Sequence, residues 1–553
     1  MTTTSFDADC IVVGSGPAGV SVTFPLVDAG RRVLMIDGAT GGDSLANDFF
    51  KPWTRALGAQ LEALVPEDGL SPKLRTPASR QIVGDFIQAT NIRGEGFVAI
   101  GARARGGLSR IWGGFVCEFD ERDIVGWPFS IADLRPSYKV VTDRIGVSGS
   151  DTDDMADFFG RSGAILPPLP IGSSAARLLK RYRAGSTGAE FALGVARNAI
   201  LSVDRHDRQA CDLRNDCLWG CSRGAVYDAR FDLIELKRHE TFHLVDGAFA
   251  IDLARSGGGW QISTQDGRRF SAPRIVLAAG ALGTAALVIR LLPNTPTELR
   301  LLNSPVLAMP ILVPARLGRS ADPKAYSLAQ LGYRLRYGSA PTDYITGAIY
   351  EVEGLPPSSF TARLPFSRRA GTDFFNAISP ALLIATGYFP GTCSDNKLRW
   401  ERHGDRISIA VRGGTDPELP SKLERVIRRL RKIWWQLGAL MLPGTSLATP
   451  GTDVHYAGLF AMGHHTAHGS TMWGELHGAP GVYITDGAAL PNLPSKHPTL
   501  TIMANADRIG RHLARIHSVE VGEGPAKCSQ SPSSRLCDRT SGLRPSNRRR
   551  FPR

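Results

Sequence analysis

The sequence predicts an α/β protein in which a Rossmann-like unit is interleaved with an α+β domain built on an antiparallel sheet. Near the start, residues 10–37 read CIVVGSGPAGVSVTFPLVDAGRRVLMID, a glycine-rich turn between two short apolar strands. This order of strand, helix and strand is typical of a doubly wound parallel sheet. Between residues 305 and 411 apolar residues alternate with polar ones, as in YSLAQLGYRLRY and RISIAV, which predicts antiparallel strands.

The length and the net charge of the chain indicate how many domains and what kind of partner to expect. At 553 residues the chain exceeds the size at which a single core stops growing, so two domains are expected. The net charge of +13 includes +5 from residues 519–553, where eight Lys and Arg oppose three Asp and Glu. That segment is rich in Ser, Pro and Arg and is predicted to be a disordered basic tail. We find no nucleic-acid-binding motif and expect a small-molecule partner.

The sequence also bears on location. No apolar run approaches the roughly 18 residues that a membrane-spanning helix needs, so we expect no transmembrane segment. The start, MTTTSFDADC, lacks the basic and apolar regions of a signal peptide. We therefore expect a cytoplasmic protein.

The glycine-rich turn carries a specific structural expectation. Gly14 allows a tight turn after the first strand, Gly16 lets a pyrophosphate approach the backbone, and Gly19 lets the helix pack on the strand. The helix that starts near Pro17 would offer its free N–H groups to phosphate. Asp37 closes the second strand, where a carboxylate can accept hydrogen bonds from a ribose. The pattern predicts dinucleotide binding but does not choose between FAD and NAD.

Three further stretches shape the expected architecture. GGLSRIWGG, at residues 106–114, brackets a tryptophan with glycine pairs and suits backbone lying against a flat ligand; a surface loop is the alternative. RIVLAA, at residues 274–279, predicts another buried strand. Residues 420–442 form a basic helix with Trp434 and Trp435. We expect a scaffold helix with a solvated basic face, and docking of an acidic partner is the alternative.

Taken together, four segments resemble the glucose-methanol-choline (GMC) family of FAD-dependent oxidoreductases. They occur in the order found in the family and are residues 10–37, 103–138, 276–291 and 454–513. GGLSRIWGG and the late HPTLT are most similar to the bacterial sugar and polyol dehydrogenases and to pyranose oxidase. The resemblance implies oxidation of a CH–OH group, with a sugar or polyol favoured over a sterol-like alcohol as substrate.

The same resemblance implies how FAD would be held. The ADP half would lie on the first glycine turn and Asp37, the isoalloxazine near residues 106–114, and the ribityl and pyrophosphate near Asp486. The position before the loop tryptophan, where some relatives attach flavin to a histidine, is Ile111, so the flavin is expected to be non-covalent. The implied cofactor-binding residues are Gly14, Gly16, Gly19, Asp37, Gly106, Gly107, Ser109, Trp112, Gly113, Ala279, Asp486, Gly487, Pro498 and Thr499.

Two histidines would supply the proton chemistry. The resemblance implies that His455, in HYAG, and His497, in KHPTLT, form the catalytic pair. Removing hydride from a carbinol requires removal of the hydroxyl proton, and a neutral imidazole can accept it near pH 7. We expect His455 to be the base and His497 to orient the alcohol.

A cysteine loop leaves two mechanisms open. Cys211, Cys217 and Cys221 have a C-x5-C-x3-C spacing, and three thiolates from one loop could hold a 3Fe-4S cluster, as in some members of the family. A zinc site and plain thiols are the alternatives, and Ser222 replaces the proline that often follows the third cysteine. With a cluster, the chain would be the large subunit of a membrane-linked dehydrogenase. It would pass electrons to a cytochrome and could reach the periplasm with a signal-bearing small subunit.

The remaining expectations concern domains and other classes of function. The FAD-binding domain is predicted at residues 1–300, with the flavin loop at 101–138 and the cysteine loop at 211–221. The substrate-binding domain is predicted at 301–450 and a C-terminal FAD-binding and catalytic segment at 451–518. A non-catalytic flavoprotein is the alternative from another class. The lack of a second G-x-G-x-x-G argues against an NAD-dependent reductase.

Overall fold

The computed structural model describes residues 8–39, 74, 77–185, 187–215, 217, 220–352, 365–404, 406–463 and 468–522. Met1–Ala514 form one compact unit, and Arg515–Arg553 are a separate one. The predicted boundaries at residues 300 and 450 both fall inside the first unit, and they stay predictions. No helix among the described residues is long and apolar enough to cross a membrane.

The helices and strands are numbered in chain order. The α-helices are α1 (Pro17–Asp28), α2 (Pro77–Thr90), α3 (Ile131–Ile145), α4 (Ala156–Phe159), α5 (Ser173–Ala184), α6 (Ala229–Leu236), α7 (Ala281–Leu291), α8 (Arg368–Ile378), α9 (Leu419–Gln436) and α10 (Thr499–Gly522). The strands are β1 (Cys10–Val13), β2 (Val33–Ile36), β3 (Ile92–Glu95), β4 (Val147–Ser148), β5 (Ile165–Leu166), β6 (Phe191–Val195), β7 (Phe242–Val245), β8 (Ala250–Ser256), β9 (Gly259–Thr264), β10 (Arg269–Ala272), β11 (Arg274–Leu277), β12 (Glu298–Asn303), β13 (Val306–Leu312), β14 (Leu331–Arg336), β15 (Tyr344–Glu351), β16 (Leu382–Tyr388), β17 (Asn396–His403), β18 (Arg406–Arg412), β19 (Leu440–Met441), β20 (Ser446–Leu447), β21 (Tyr456–Ala457) and β22 (Val482–Ile484).

A parallel sheet with strand order β22-β11-β1-β2-β7 confirms the Rossmann-like unit. Every neighbouring pair in it is parallel. β1, β2 and β11 are buried along their whole length, as expected for strands covered on both faces. Because β22 comes from the far end of the chain, the sheet is assembled from distant segments, which is the predicted interleaving.

Antiparallel pairing dominates the other large sheets. A seven-stranded sheet has the path β19-β13-β16-β15-β14-β6, with β20 also pairing with β13. Its last strand, β6, comes from the segment predicted to bind FAD, yet it pairs with β14 of the antiparallel sheet. A five-stranded sheet has the order β21-β12-β17-β18-β3. A three-stranded sheet has the order β10-β9-β8, and β4 pairs with β5.

Two helices cover the seven-stranded sheet with a shared apolar core. Leu178 of α5 and Trp434 of α9 belong to this core, together with Tyr333 of β14. The helix predicted at residues 420–442 runs as α9 from Leu419 to Gln436. It stops early because Gly438 adopts a left-handed φ of 78°, which commonly ends a helix.

The C-terminal helix also changes one expected boundary. The chain was expected to leave regular structure at residue 519, but α10 ends at Gly522. Residues 519–522 of the predicted tail are therefore helical. The rest of that tail, residues 523–553, lies outside the described residues.

Adjacent tryptophans provide a test of this core. Trp434 is fully buried, whereas Trp435 is 70% exposed. The ring of Trp434 packs edge-on against Tyr333, with centroids 5.4 Å apart, and against Phe191 at 5.8 Å. We expect Trp434→Ala to lower the free energy of unfolding by about 3–5 kcal/mol. Trp435→Ala should change it by no more than about 0.5 kcal/mol. Equal effects of the two changes in urea unfolding would contradict this packing.

Candidate active site

A cavity of about 900 Å³ gathers most of the predicted site residues. Its walls come from the carboxyl edge of the parallel sheet and from strands β13, β15 and β16 of the seven-stranded sheet. Ligands of open α/β sheets bind at this edge of the strands. The predicted residues that line the cavity are Gly14, Gly16, Asp37, Gly107, Ser109, Trp112, Gly113, Ala279, His455, Asp486, Gly487, His497, Pro498 and Thr499.

The first glycine turn has no room for a side chain at Gly14 or at Gly19. Gly14 has a φ of 101°, and a Cβ there would lie 2.5 Å from the carbonyl oxygen of Ala278. A Cβ at Gly19 would lie 1.9 Å from the carbonyl oxygen of Gly14. Gly19 therefore packs α1 against the turn, behind the cavity wall. α1 begins at Pro17 with Gly16 at its N-terminus, so the first N–H groups of the helix have no carbonyl partner within it.

A second glycine turn lies directly against the first. Gly106 and Gly107 have φ values of 81° and 56°. A Cβ on Gly107 would lie 3.2 Å from Cα of Gly16. The backbone N–H of Gly106 donates to Oγ of Ser15 at 3.0 Å, which links the two turns behind the cavity surface.

The side chains of this second turn are fixed by hydrogen bonds to α6 and the loop before it. Ser109 Oγ accepts a hydrogen bond from the N–H of Ala229 at 2.9 Å. Trp112 Nε1 donates to the carbonyl oxygen of Tyr227 at 2.7 Å. The wall at Ser109 and Trp112 is therefore anchored by protein groups.

Two buried carboxylates stand at the edges of the parallel strands. Asp37 accepts hydrogen bonds from the N–H groups of Ser15 at 2.9 Å and Ala39 at 2.8 Å. Burial raises the pKa of Asp37, and these hydrogen bonds oppose the rise. Asp486 accepts from the N–H of Ala488 at 3.0 Å and from the hydroxyl of Thr284. Burial raises its pKa to about 6.

The two predicted histidines lie side by side in the cavity wall. The rings of His455 and His497 have centroids 4.9 Å apart and planes at 81°. A third ring, Tyr388, lies 4.4 Å from the ring of His497 and 5.5 Å from that of His455. The ring of Phe115 also packs edge-on against the ring of His497, with centroids 4.7 Å apart. Tyr388 was not predicted as a site residue, because it lies at the end of β16 and belongs to no sequence motif.

A buried ion-pair network anchors the chain at His497. The neighbouring Lys496 is fully buried, and its Nζ lies 2.9 Å from Asp123 and 3.0 Å from Asp120. It also donates to the carbonyl oxygen of Glu118 at 3.0 Å. Burial disfavours the charge of Lys496, but the two carboxylates outweigh that effect and raise its pKa. No sequence motif predicted this network, since Lys496 lies more than 350 residues from its partners.

A buried carboxylate, also missed, stands beside His455. Asp453 Oδ2 lies 3.6 Å from Nδ1 of His455, and the Asp453 side chain is fully buried. Its carboxylate accepts hydrogen bonds from Nδ2 of Asn303 at 2.7 Å and from the N–H of Ser304 at 3.0 Å. Burial raises the pKa of Asp453 to about 7. The available sequence signal was an acid two residues before a predicted catalytic histidine.

The cysteine loop gives no support to the iron–sulfur prediction. Cys211, Cys217 and Cys221 are half-buried and pack against an apolar cluster that includes Tyr326 and Leu328. All three are described, and among the described residues no group of three or more His, Cys, Asp and Glu is placed to hold a metal ion. The loop is pinned by backbone hydrogen bonds between residues 213–215 and Ala325.

A family match and a solved structure bear on the class of the protein. Residues 397–506 match the GMC oxidoreductase family. The chain is also similar in fold to the crystal structure of pyridoxine 4-oxidase from Mesorbium loti, with a TM-score of 0.58 and 16% identity over 92% of this chain and 99% of that one. Residues 397–506 therefore match the family that the sequence motifs predicted, and the chain has the mixed α/β fold of this pyridoxine 4-oxidase.

Curated relatives cover almost the whole chain. Paromamine 6'-oxidase of Streptomyces fradiae is 26% identical, over 92% of this chain and 93% of the relative. The 6'''-hydroxyparomomycin C oxidase of Streptomyces lividus is also 26% identical, over 92% of this chain and 91% of the relative. The chain is therefore similar over most of its length to two proteins that are named as oxidases.

The raised pKa of Asp453 predicts a pH-dependent stability difference. The folded protein holds a proton on this group up to about pH 7, whereas an unfolded aspartate loses it near pH 3.8. The stabilisation is fully present below pH 3.8 and is lost as the pH rises through 7. The unfolding free energy of the natural protein minus that of Asp453→Asn should fall by up to about 4 kcal/mol between pH 4 and 8.

The control for that measurement is a surface aspartate. Asp266 has its pKa lowered to about 2, chiefly by Arg268 and Thr264, so it stays ionised across the same range. The difference measured with Asp266→Asn should be constant from pH 4 to 8. A constant difference for Asp453→Asn as well would contradict the proposed burial of a protonated carboxyl.

Proposed function

We propose that this chain binds FAD non-covalently and oxidises the CH–OH group of a sugar or polyol, with His455 as base and His497 as orienting partner. The single observation that supports this most strongly is the His455–His497 pair, 4.9 Å apart, in the same cavity as both glycine turns. Proton acceptance and dinucleotide binding are then possible within one enclosed space.

The residues present fit FAD. The close approach of Gly107 to Gly16 leaves bare backbone on the cavity surface, and the N-terminus of α1 favours a pyrophosphate. Asp37, fixed by two backbone N–H groups, can accept from a ribose hydroxyl. Asp486 and Gly487 would lie along the remainder of the cofactor, and the predicted second turn would face its ring system.

The two histidines would supply the proton acceptor and the orienting group that FAD does not provide. When bound, FAD accepts the hydride equivalent removed from carbon. His455 would accept the hydroxyl proton of the substrate, and His497 would hold the same oxygen so that the carbinol carbon stays in one orientation. The rings of Tyr388 and Phe115 restrict the orientation of His497, which reduces the entropy lost when substrate binds.

The names of the relatives support a substrate class and an electron acceptor for this proposal. The names paromamine 6'-oxidase and 6'''-hydroxyparomomycin C oxidase support a carbohydrate substrate, with amino sugars as the first compounds to test. The word oxidase in both names supports dioxygen as the acceptor. These are the substrate class and acceptor that we propose for this chain.

Flavin reduction tests the function directly. The purified protein should show bound flavin that a sugar or amino sugar bleaches without oxygen and that air restores. His455→Ala and His497→Ala should each slow bleaching by about 10²- to 10⁴-fold, the usual contribution of an acid–base group, while flavin content stays unchanged.

A surface histidine provides the control. His403 is exposed, with 71% of its side chain accessible, and His403→Ala should bleach at the natural rate. Unchanged rates in both active-site variants would rule out the proposed pair. Flavin that no carbinol bleaches would instead favour the non-catalytic flavoprotein.

A further inference from the structure

The proton chemistry proposed above does not by itself account for Asp453. Its carboxylate has no exposed side-chain surface, lies 3.6 Å from Nδ1 of His455, and belongs to the cavity wall. A buried carboxylate is costly unless it is paired with a positive charge or hydrogen-bonded. A purely structural cap of the turn before β21 would not require a negative charge beside an imidazole.

We propose that Asp453 is a positioning residue for His455, whose negative charge orients the imidazole and stabilises the proton that His455 accepts from the substrate. This inference rests on the proposed function. The 3.6 Å separation is an ion-pair distance and is longer than a direct hydrogen bond. Asp453 therefore acts on the free enzyme through its charge, and such contacts often shorten only when substrate binds.

The carboxylate is held by a chain of buried amides. Asn396 Nδ2 donates to Oδ1 of Asn303 at 2.8 Å, and Asn303 Nδ2 donates to Asp453 at 2.7 Å. Both asparagines are buried. Asn303 ends β12, which pairs with β21 next to His455, and Asn396 opens β17 on the other side of β12. Three strands of the five-stranded sheet thus fix the carboxylate relative to the histidine.

The charges around Asp453 favour transfer of positive charge to His455. The titratable groups that face it are His455, Tyr388 and Tyr456. Burial raises the pKa of both tyrosines, and the charge of Asp453 contributes to that rise, so both phenols stay neutral. His455 is then the group of this set that can become positive.

The proton balance requires no transfer to Asp453. The O–H bond of the carbinol would break as a new N–H bond forms on His455, and the O–H electron pair would become the second bond of the C=O group. The C–H bond would break at the same time, and its hydrogen would leave with the bonding pair as hydride, which FAD would accept. Above about pH 7 Asp453 is ionised, and it stays ionised opposite the resulting imidazolium. The proton then leaves to solvent, since 14% of the His455 side chain is exposed.

The test is the pH dependence of flavin reduction by rapid mixing under anaerobic conditions, with the best sugar found above. In Asp453→Asn the rate should fall about 100-fold, with flavin content kept. The imidazole, without its negative neighbour, should lose its proton more easily, so the acidic limb of the profile should move to lower pH. Asp453→Glu restores the charge and should recover part of the rate, with the limb near its natural position.

A second variant separates charge from folding. Asn303→Ala removes a hydrogen-bond donor to the carboxylate and leaves Asp453 in place. Asp453 should then be harder to ionise and carry less negative charge beside His455, so the acidic limb should move to lower pH, in the same direction as in Asp453→Asn but by less. The pH profile of Asn303→Ala tests the positioning role of Asp453 even if Asp453→Asn does not fold or loses flavin.

The outcomes distinguish the two proposals. If no carbinol reduces the natural protein, the proposed function fails, whatever the variants do. If the natural protein is reduced but Asp453→Asn matches it in rate and pH profile, the positioning role is overturned. It is equally overturned if Asp453→Glu loses as much rate as Asp453→Asn, or if the profile of Asn303→Ala is unmoved.

Discussion

The shape of the cavity depends on two places where backbone packs directly against backbone, with no side chain between. Gly14 lies against Ala278 at the edge of the parallel sheet, and Gly107 lies against Gly16 in the neighbouring turn. A methyl group at Gly14 would require the strands to separate, because close-packed interiors tolerate little added volume. The second turn could then no longer rest on the first. The wall proposed to hold FAD is therefore a product of these glycine contacts.

The same arrangement explains why the site draws on the whole chain. The parallel sheet takes β22 from beyond residue 480 and sets it beside β11 and β1, which brings Asp486 to the same edge as Gly14. The seven-stranded sheet contributes β16, which ends at Tyr388 beside both histidines. The histidines themselves lie in two short loops, and the sheets hold these loops in place.

Buried charge is handled in two different ways around the histidine pair. Lys496 pairs with both Asp123 and Asp120, so its positive charge is compensated and the segment before His497 is held in place. Breaking such a buried network by removing one partner is expected to be strongly destabilising. Asp453 instead has neutral hydrogen-bond donors and a titratable neighbour. The first arrangement favours a fixed structure, and the second leaves a charge available for proton chemistry.

The sequence by itself determined the features that depend on local backbone. The strand and turn at Gly14, the acid at Asp37, the alternating strands and the two histidine motifs could all be predicted, because each is set by residues close together in the chain. Only the tertiary structure decided that His455 and His497 lie 4.9 Å apart and that Tyr388 joins them. It also placed β6 in the antiparallel sheet and brought Asn303 within hydrogen-bond distance of Asp453. Those contacts join residues far apart in the chain, and no local pattern encodes which distant side chain will fill a given space.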